Sequence, residues 1–232
     1  MRQIFIDWEK GGSCLQPVIN ESLPDSLQII LVEDPGAPSA GFVIGRPAVP
    51  AGSEEAPILT LLSYILGGGG RISRLYQSLV GDYGLATYIG SEIDWSRSNG
   101  MFRIDGRSTN EMAGDAVRQV LQVMAELREL RISAGELEEA KNYFKGTIPG
   151  YFESTGSTTN TLARLFLFDL TPEYYKKLID QFDSIEPRHV HAFAERFLNE
   201  NHMTVVVNGP VDIIRGDLSE LGPVEIIGSG TE

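Results

Sequence analysis

Three histidines, His189, His191 and His202, are the first candidates for metal chemistry in this chain. A zinc helix of the H-E-x-x-H type needs histidines four residues apart with a glutamate between them, and the inverted type needs H-x-x-E-H. Only one residue separates His189 from His191, and Glu195 comes later, so neither spacing is present. On a helix, two such side chains point about 200° apart and cannot share a metal ion. The pattern predicts solvent-facing helix residues rather than metal ligands.

A run of four glycines is the second candidate, because glycine-rich loops can bind phosphate groups. A phosphate loop needs G-x-x-x-x-G-K-[ST], and a dinucleotide fingerprint places its glycines between a strand and a helix. Here the run follows an apolar helix and continues as R-I-S, so both patterns fit poorly. We therefore predict a structural turn between two helices rather than a ligand site. The turn residues are Gly67, Gly68, Gly69 and Gly70.

Other arrangements typical of catalysis do not stand out in the sequence. No serine lies in a G-x-S-x-G elbow. The paired carboxylates Glu54–Glu55 and Glu138–Glu139 fall on predicted helix surfaces, where solvated charge is expected. Cys14 is the single cysteine, which indicates neither a disulfide framework nor a Cys–His pair. From these residues we predict no catalytic group and no metal ligand in this chain.

Charge and hydropathy exclude two classes of partner. The 232 residues include 19 basic and 32 acidic side chains, for a net charge of -13. A nucleic-acid surface needs a clustered basic face, whereas these basic residues are scattered, so we expect no nucleic acid as partner. No run approaches the roughly 18 apolar residues of a membrane span. The beginning of the sequence also lacks the pattern of a signal peptide. We expect a soluble chain without a membrane span.

Hydrophobic periodicity predicts an α+β fold with a mixed, largely antiparallel sheet and helices layered on it, because successive strands follow one another without helical crossovers. Ser53 is predicted to cap a helix that ends at a left-handed Gly67. Ser108 with Glu111, and Ser133 with Glu136, are predicted capping boxes. Further helices are predicted at 158–168, 172–182 and 187–199. Strands are predicted at Leu27–Glu33, Gly41–Arg46, Leu85–Ile93, Met101–Arg107 and Met203–Asn208.

Composition also predicts the domain limits. Residues 1–24 are polar and rich in glycine and proline, which is typical of an interdomain linker. Residues 25–210 are predicted to form one domain. Residues 211–232 are predicted to be a C-terminal extension of that domain, wrapped on its surface or frayed.

Six segments, in this order, resemble a known family. They are IILVEDPGAPSAGFVIGRPAV, LTLLSYILGGGGRISRLYQSL, GLATYIGSEID, ISAGELEEAKNYFKG, IEPRHVHAFAERFL and MTVVVNGP. Over about residues 25–225 the chain resembles the C-terminal, non-catalytic domain of the pitrilysin, insulinase and mitochondrial processing peptidase family, the inverzincins. The segment FIDWEKGG is similar to the linker between the two domains of such proteins.

The resemblance implies a parent zinc metallopeptidase, a peptide hydrolase of bacterial type. In that family two similar domains form one half, and two halves enclose a chamber around an unfolded peptide. Zinc is bound by an H-x-x-E-H helix of the N-terminal domain, which this chain lacks. We therefore expect no cofactor here, and zinc in the N-terminal domain of the parent or in a partner subunit. Expected partners are that catalytic-type domain, a second half in a homo- or heterodimer, and a peptide substrate.

The resemblance also identifies a departure from the family pattern. Many members have an Arg and a Tyr, seven residues apart in this domain, that reach the substrate near the zinc. Aligned on Arg74–Gln77 and Gly84–Ala86, these positions are Val80 and Thr87. The isopropyl group of Val80 cannot make the charge-assisted hydrogen bonds of a guanidinium. The short hydroxyl side chain of Thr87 cannot replace the phenol of a Tyr as a donor to the substrate. Tyr88 is the remaining candidate for substrate contact, although on a strand it faces the side opposite to Thr87.

Three functions remain open from the sequence. The first is a non-catalytic domain of a zinc-dependent metallopeptidase that forms chamber wall and domain or subunit contacts. The second is a domain of a catalytically inactive structural or peptide-holding subunit of the same family. The third is an unrelated small-molecule-binding domain that uses the glycine run. Residues alone leave the compartment open between cytoplasm and periplasm.

Overall fold

The computed structural model describes residues 23–228, which contain one six-stranded sheet in the order β3-β4-β2-β5-β1-β6. Pairing is antiparallel from β3 through β4 and β2 to β5, and parallel from β5 through β1 to β6. This arrangement confirms the predicted α+β fold with a mixed, largely antiparallel sheet. The strands are β1 Gln28–Glu33, β2 Ala40–Pro47, β3 Tyr88–Asp94, β4 Met101–Ser108, β5 Thr204–Gly209 and β6 Val224–Ile227.

The helices lie between β2 and β3, between β4 and β5, and before β6. Two of them end in π-helical turns, at Tyr64–Gly68 and at Gln77–Asp82. Helix α4 is followed by a 3₁₀ turn, Ile148–Phe152, which contains Pro149 and Gly150. The helices are α1 Ala56–Ser63, α2 Arg74–Tyr76, α3 Ala113–Glu129, α4 Ala134–Thr147, α5 Thr155–Leu167, α6 Tyr174–Ser184, α7 Pro187–Phe197 and α8 Val211–Ser219.

One face of the sheet is covered by helices and forms the core. Alternate strand residues such as Leu31, Ile44, Phe102 and Val205 point into it and are fully buried. Helix α3 packs against β2 and β4, while α8 packs against β1 and β6. Helix α7 lies on α1 and α3 as an outer layer. This arrangement leaves the second face of the sheet without a helical layer in the described part of the chain.

Strand β5 lies between β1 and β2, although those two strands are neighbours in sequence. Val206 is the register partner of both Ile30 in β1 and Val43 in β2. The sequence predicted each of these strands but not this order, because the pairing joins segments more than 150 residues apart. The centre of the sheet is therefore complete only after the last third of the chain has folded.

The C-terminal segment differs from its prediction. Up to residue 227 it is neither frayed nor merely wrapped on the surface. Ile214 and Leu218, four residues apart on α8, are buried in the core, and β6 extends the sheet beside β1. This i,i+4 pair forms the apolar stripe of α8 that faces the core.

Helix starts agree with the sequence at one of three predicted caps. The Ser133 hydroxyl accepts a hydrogen bond from the Glu136 amide, and the Glu136 carboxylate accepts one from the Ser133 amide, so this capping box is confirmed. The cap at Ser53 is wrong, because the residue before α1 is Glu55. The box at Ser108 is wrong as well, because that hydroxyl donates to the Thr109 carbonyl and a 3₁₀ turn precedes α3.

The predicted linker, apart from residues 23 and 24, lies outside the described residues, as does Cys14. Between residues 23 and 228 no helix has the length and apolar character needed to cross a membrane.

Candidate functional site

The glycine run lies against β3, and two of its residues show why glycine is needed. Helix α1 continues without a break through Tyr64–Gly68, so Gly67 is helical rather than left-handed as predicted. A Cβ on Gly67 would lie 2.5 Å from the Ser91 amide nitrogen and 2.9 Å from the Gly90 carbonyl carbon. The left-handed residue is Gly70, with φ of 61°. Gly67 is therefore required because the helix approaches β3 closely, and Gly70 is required because the turn has a left-handed residue.

The segment is held on both sides of the glycines. Before them, the Ser91 hydroxyl donates to the Ser63 carbonyl oxygen at 2.7 Å and joins α1 to β3. After them, Arg74 binds Glu136 at the start of α4 through two contacts, Nε to Oε1 at 2.8 Å and Nη2 to Oε2 at 3.1 Å. These fixed contacts favour the predicted role as a structural turn over that of an adaptable loop.

Glu136 provides a pH-dependent test of this anchor. Burial by itself raises the pKa of Glu136, but hydrogen bonds from Arg74 and Ser133 outweigh it and hold the pKa at about 2. Because the folded pKa lies below the unfolded value, the anchor stabilises the fold above about pH 4.5 and is lost as pH falls towards 2. We expect Glu136→Gln to lower the free energy of unfolding at pH 7 by about 1–2 kcal/mol.

The measurement is urea unfolding of wild type and variant between pH 7 and pH 3. The difference between them should stay constant down to about pH 5 and shrink below it, because the carboxylate of the unfolded wild type takes up a proton there while the folded one, with its pKa at about 2, stays ionised. Glu129→Gln is the matched control, since Glu129 is exposed at the end of α3. We expect it to stay within about 0.5 kcal/mol of wild type. Identical pH profiles for the two variants would contradict the role of the Arg74–Glu136 pair.

The two positions that depart from the family pattern are occupied by local contacts. Val80 is half-buried and packs against the hydrophobic core. Thr87 is exposed, and both its amide and its hydroxyl donate to the Arg107 carbonyl oxygen, at 2.8 Å and 3.2 Å. Val80 has no donor group, and the Thr87 hydroxyl already donates to the backbone of β4.

We use the term open face for the side of the sheet opposite to the helices. None of its side chains is buried, which distinguishes it from the covered side. Strands β1, β2, β5 and β6 give it an apolar half, and β3 and β4 give it a polar half. The apolar half is centred on Ile30, Val32, Val43, Val206 and Ile227, and the polar residues Gln28, Thr204, Asn208 and Glu225 lie around them. The polar half contains Tyr88, Glu92, Asp94, Arg103, Asp105 and Arg107.

Tyr88 and Arg107 are direct neighbours on the open face. They are register partners in the antiparallel pair of β3 and β4, which places their Cβ atoms about 5 Å apart. Tyr88 is 59% exposed, and its hydroxyl lies 3.2 Å from where a Cβ of Gly90 would be, so the ring lies along its own strand. Within residues 23–228 the Arg107 side chain forms no ion pair. Both groups are therefore available as donors.

The sequence identified Tyr88 but missed Arg107. Alternation along each strand places both on one face, yet only the hairpin register shows that they are opposite each other. A shallow cavity of about 280 Å³ lies beside them and is lined by Val43, Asp105 and Val206 as well. In the same row, the Asn208 side-chain oxygen accepts a hydrogen bond from the Gly41 amide at 3.0 Å.

The remaining charges of the polar half are centred on Arg103. It lies within 2.8 Å of Glu92, 3.3 Å of Asp94 and 3.5 Å of Asp105. Its hydrogen bond to Glu92 raises the pKa of Arg103, while burial raises the pKa of Asp105 against the opposing effect of Arg103. Arg103 is thus held by its three acidic neighbours, and Arg107 is the cation of this half that faces solvent.

The histidines lie apart and make separate local contacts. His189 is exposed, and its Nδ1 accepts from the Glu186 amide at the start of α7. His191 is half-buried with Nε2 3.6 Å from Glu195, so the prediction of a solvent-facing residue is wrong for this side chain. His202 Nδ1 lies 2.9 Å from the Pro24 carbonyl oxygen. Among the described residues, no three His, Cys, Asp or Glu side chains converge as a metal site, so these residues do not fit the zinc of the family.

Comparison with known proteins identifies the family. The model of the peptidase M16 inactive domain matches residues 1–144, more than half of the chain. The chain belongs to the peptidase M16 inactive-domain family. This result confirms the resemblance that the sequence indicated, to the C-terminal, non-catalytic domain of the inverzincin peptidases.

Relatives of this M16 inactive domain are longer. It is 24% identical over 169 residues to the uncharacterized zinc protease YmxG of Bacillus subtilis, covering 73% of this chain and 41% of that protein. The predicted bacterial type fits this relative. The M16 inactive domain from Pseudomonas fluorescens has a TM-score of 0.73 and 23% identity over 82% of this chain and 45% of its own. A chain in complex III2 from Candida albicans has a TM-score of 0.71 and 15% identity, over 92% and 54%. The chain thus spans less than half of the curated relative and about half of these structures, which show its fold.

Proposed function

We propose that this M16 inactive domain is a non-catalytic domain of a zinc-dependent metallopeptidase, in which its open face forms chamber wall and interdomain contacts around an unfolded peptide. The observation that supports this proposal is the open face itself. One complete side of a six-stranded sheet lacks a helical layer in residues 23–228, and its two halves differ in polarity. Antiparallel sheets commonly leave one face to solvent, so the apolar character of half of this face, rather than its exposure alone, indicates a partner.

The apolar half of the open face suits contact with another folded domain. Val43, Val206 and Ile30 lie side by side across three adjacent strands, and each is only half-buried. Contiguous exposed apolar surface of this kind marks interaction sites. The N-terminal catalytic-type domain of the same parent, or a second half in a homo- or heterodimer, would cover it. The greater length of the relatives supports such a domain.

The polar half suits contact with a peptide. An unfolded peptide presents backbone carbonyl groups that need donors, and the Tyr88 hydroxyl and the Arg107 guanidinium provide them side by side. Val80 and Thr87, the positions at which the family pattern places such donors, are occupied by packing and by a strand contact. Tyr88 with Arg107 is therefore our proposed substrate contact.

Zinc would be bound outside this chain, in the N-terminal domain of the parent or in a partner subunit. When bound in such sites it activates water and polarises the scissile carbonyl. The residues of this domain would only bind and orient the peptide. Alone, the chain would therefore not be an enzyme.

The alternative is a domain of a catalytically inactive subunit with a structural or peptide-holding role. Two observations favour it: the replacement of the family Arg and Tyr by Val80 and Thr87, and the similarity to a chain in complex III2. In that role the open face would make the same contacts without any reaction beside it.

The sequence of the parent protein on the N-terminal side of this domain separates the two functions. The metallopeptidase requires an intact H-x-x-E-H helix followed by a distal glutamate ligand. We expect to find both. Loss of a histidine or of the glutamate in that helix would overturn the peptidase proposal in favour of the structural subunit.

A further inference from the structure

A second candidate binding site lies among the outer helices. A groove of about 540 Å³ lies between the 3₁₀ turn at Ile148–Phe152, α5 and α6. This volume lies within the range of ligand sites in proteins. No strand residue contributes to its walls, so it is separate from the open face. Its lining residues include Tyr151, Arg164, Leu167 and Tyr175.

Two tyrosines and one arginine line this groove. The Tyr151 and Tyr175 rings meet edge to face with centroids 5.6 Å apart. Burial raises the pKa of both phenols, which therefore remain protonated donors at neutral pH, and the charge of Arg164 acts on both in the opposite direction. Arg164 is exposed and forms no ion pair with any residue in 23–228.

The charge of the groove contrasts with that of the chain. Acidic side chains outnumber basic ones by 32 to 19 in the whole sequence, yet none lines this groove. A guanidinium flanked by hydroxyl donors matches the geometry of a carboxylate, which accepts several hydrogen bonds at once. The single positive charge matches a monoanion.

One edge of the groove is apolar. Leu167, which lines it together with the rings of Tyr151 and Tyr175, is 65% exposed at the end of α5. An apolar side chain next to the carboxylate of a ligand would lie against this edge.

We infer that this groove binds the C-terminal carboxylate of a peptide whose last residues are apolar, with Arg164 pairing with the carboxylate and Tyr151 and Tyr175 donating to it. Capture of a terminal carboxylate is a recurring mode of peptide recognition. The inference goes beyond the proposed function, because it involves neither the open face nor a zinc-bearing partner. A negative result for the groove would therefore leave the proposed function of the open face untouched, and the reverse also holds.

The test uses the 232-residue chain and a fluorescein-labelled hexapeptide, Gly-Gly-Ser-Gly-Leu-Phe, with either a free carboxylate or an amidated C-terminus. Fluorescence anisotropy should show saturable binding of the free acid and at least about tenfold weaker binding of the amide, as expected for loss of a charge-assisted contact. Arg164→Gln should weaken binding of the acid to the level of the amide. Tyr175→Phe should weaken it about threefold, as for loss of one neutral hydrogen bond.

Arg215→Gln is the control, because Arg215 is also exposed but lies on α8. It should bind both peptides as the wild type does. Unlabelled acetate should compete with the acid peptide at least as well as inorganic phosphate does. The inference would be overturned if the acid and the amide bound equally, or if neither bound saturably. It would also be overturned if Arg164→Gln left binding of the acid unchanged, or if phosphate competed more strongly than acetate.

Discussion

Gly67→Ala is expected to destabilise the domain by about 3 kcal/mol, because an added methyl group has no space beside β3. Its Cβ would lie 2.5 Å from the Ser91 amide nitrogen, and the obstructing atoms belong to backbone that is paired in the sheet. Neither the helix nor the strand can move without breaking the Ser63–Ser91 contact. The free energy of unfolding in urea measures the effect.

Substitutions at two other glycines distinguish the steric cost at Gly67 from the effect of alanine on the backbone conformation. Gly70 has φ of 61° and open space around it, so Gly70→Ala should cost about 1 kcal/mol from backbone strain alone. Gly146 lies in α4 with no atom near the position of a Cβ, so Gly146→Ala should stabilise the domain by about 0.5–1 kcal/mol. If Gly67→Ala instead matched Gly70→Ala, the predicted contact with β3 would be wrong.

Replacing both Tyr88 and Arg107 is expected to lower the kcat/KM for peptide cleavage by the metallopeptidase proposed as the parent by about tenfold to a hundredfold. The estimate follows from the loss of one charge-assisted hydrogen bond of about 1.5–3 kcal/mol to the peptide. The double variant Tyr88→Phe and Arg107→Gln keeps the size of both side chains on the open face. Initial rates on an unfolded peptide, measured at several substrate concentrations, give kcat/KM.

Thr87→Val is the matched control for this experiment. Thr87 precedes Tyr88 and is also exposed, but its hydroxyl donates to the Arg107 carbonyl rather than standing free on the open face. We expect its kcat/KM to remain within about twofold of wild type, as for a surface substitution. A large loss with Thr87→Val and none with the double variant would place the peptide on the opposite side of β3.

Local sequence patterns predicted most of the helices and strands. They did not predict the order of the strands, because that order depends on pairing between distant segments. The β-branched run MTVVVN predicted β5 to within one residue at each end, but not its position between β1 and β2. Strand β6 was missed because it has only four residues and is held by pairing with β1. The cap prediction succeeded at Ser133–Glu136 but failed at the equally spaced pair Ser108–Glu111, where a 3₁₀ turn precedes α3. It also failed at Ser53, three residues before α1, where the preceding residue is Glu55.

The candidate sites divide in the same way. Tyr88 was identifiable from the sequence through its place beside Thr87. Its partner Arg107 lies 19 positions later and becomes a neighbour only through the register of β3 and β4. The groove around Arg164 requires three helical segments to meet, which no spacing in the sequence indicates.

Metal analysis of the purified chain tests most directly whether this M16 inactive domain depends on a zinc-bearing partner. The chain is incubated with zinc, dialysed, and assayed for bound metal and for chelator-sensitive cleavage of an unfolded peptide, with the full-length parent in parallel. We expect stoichiometric zinc and cleavage only in the parent, because no ligand set of three converges within residues 23–228. One tightly bound zinc per isolated chain, together with chelator-sensitive cleavage, would contradict this assignment.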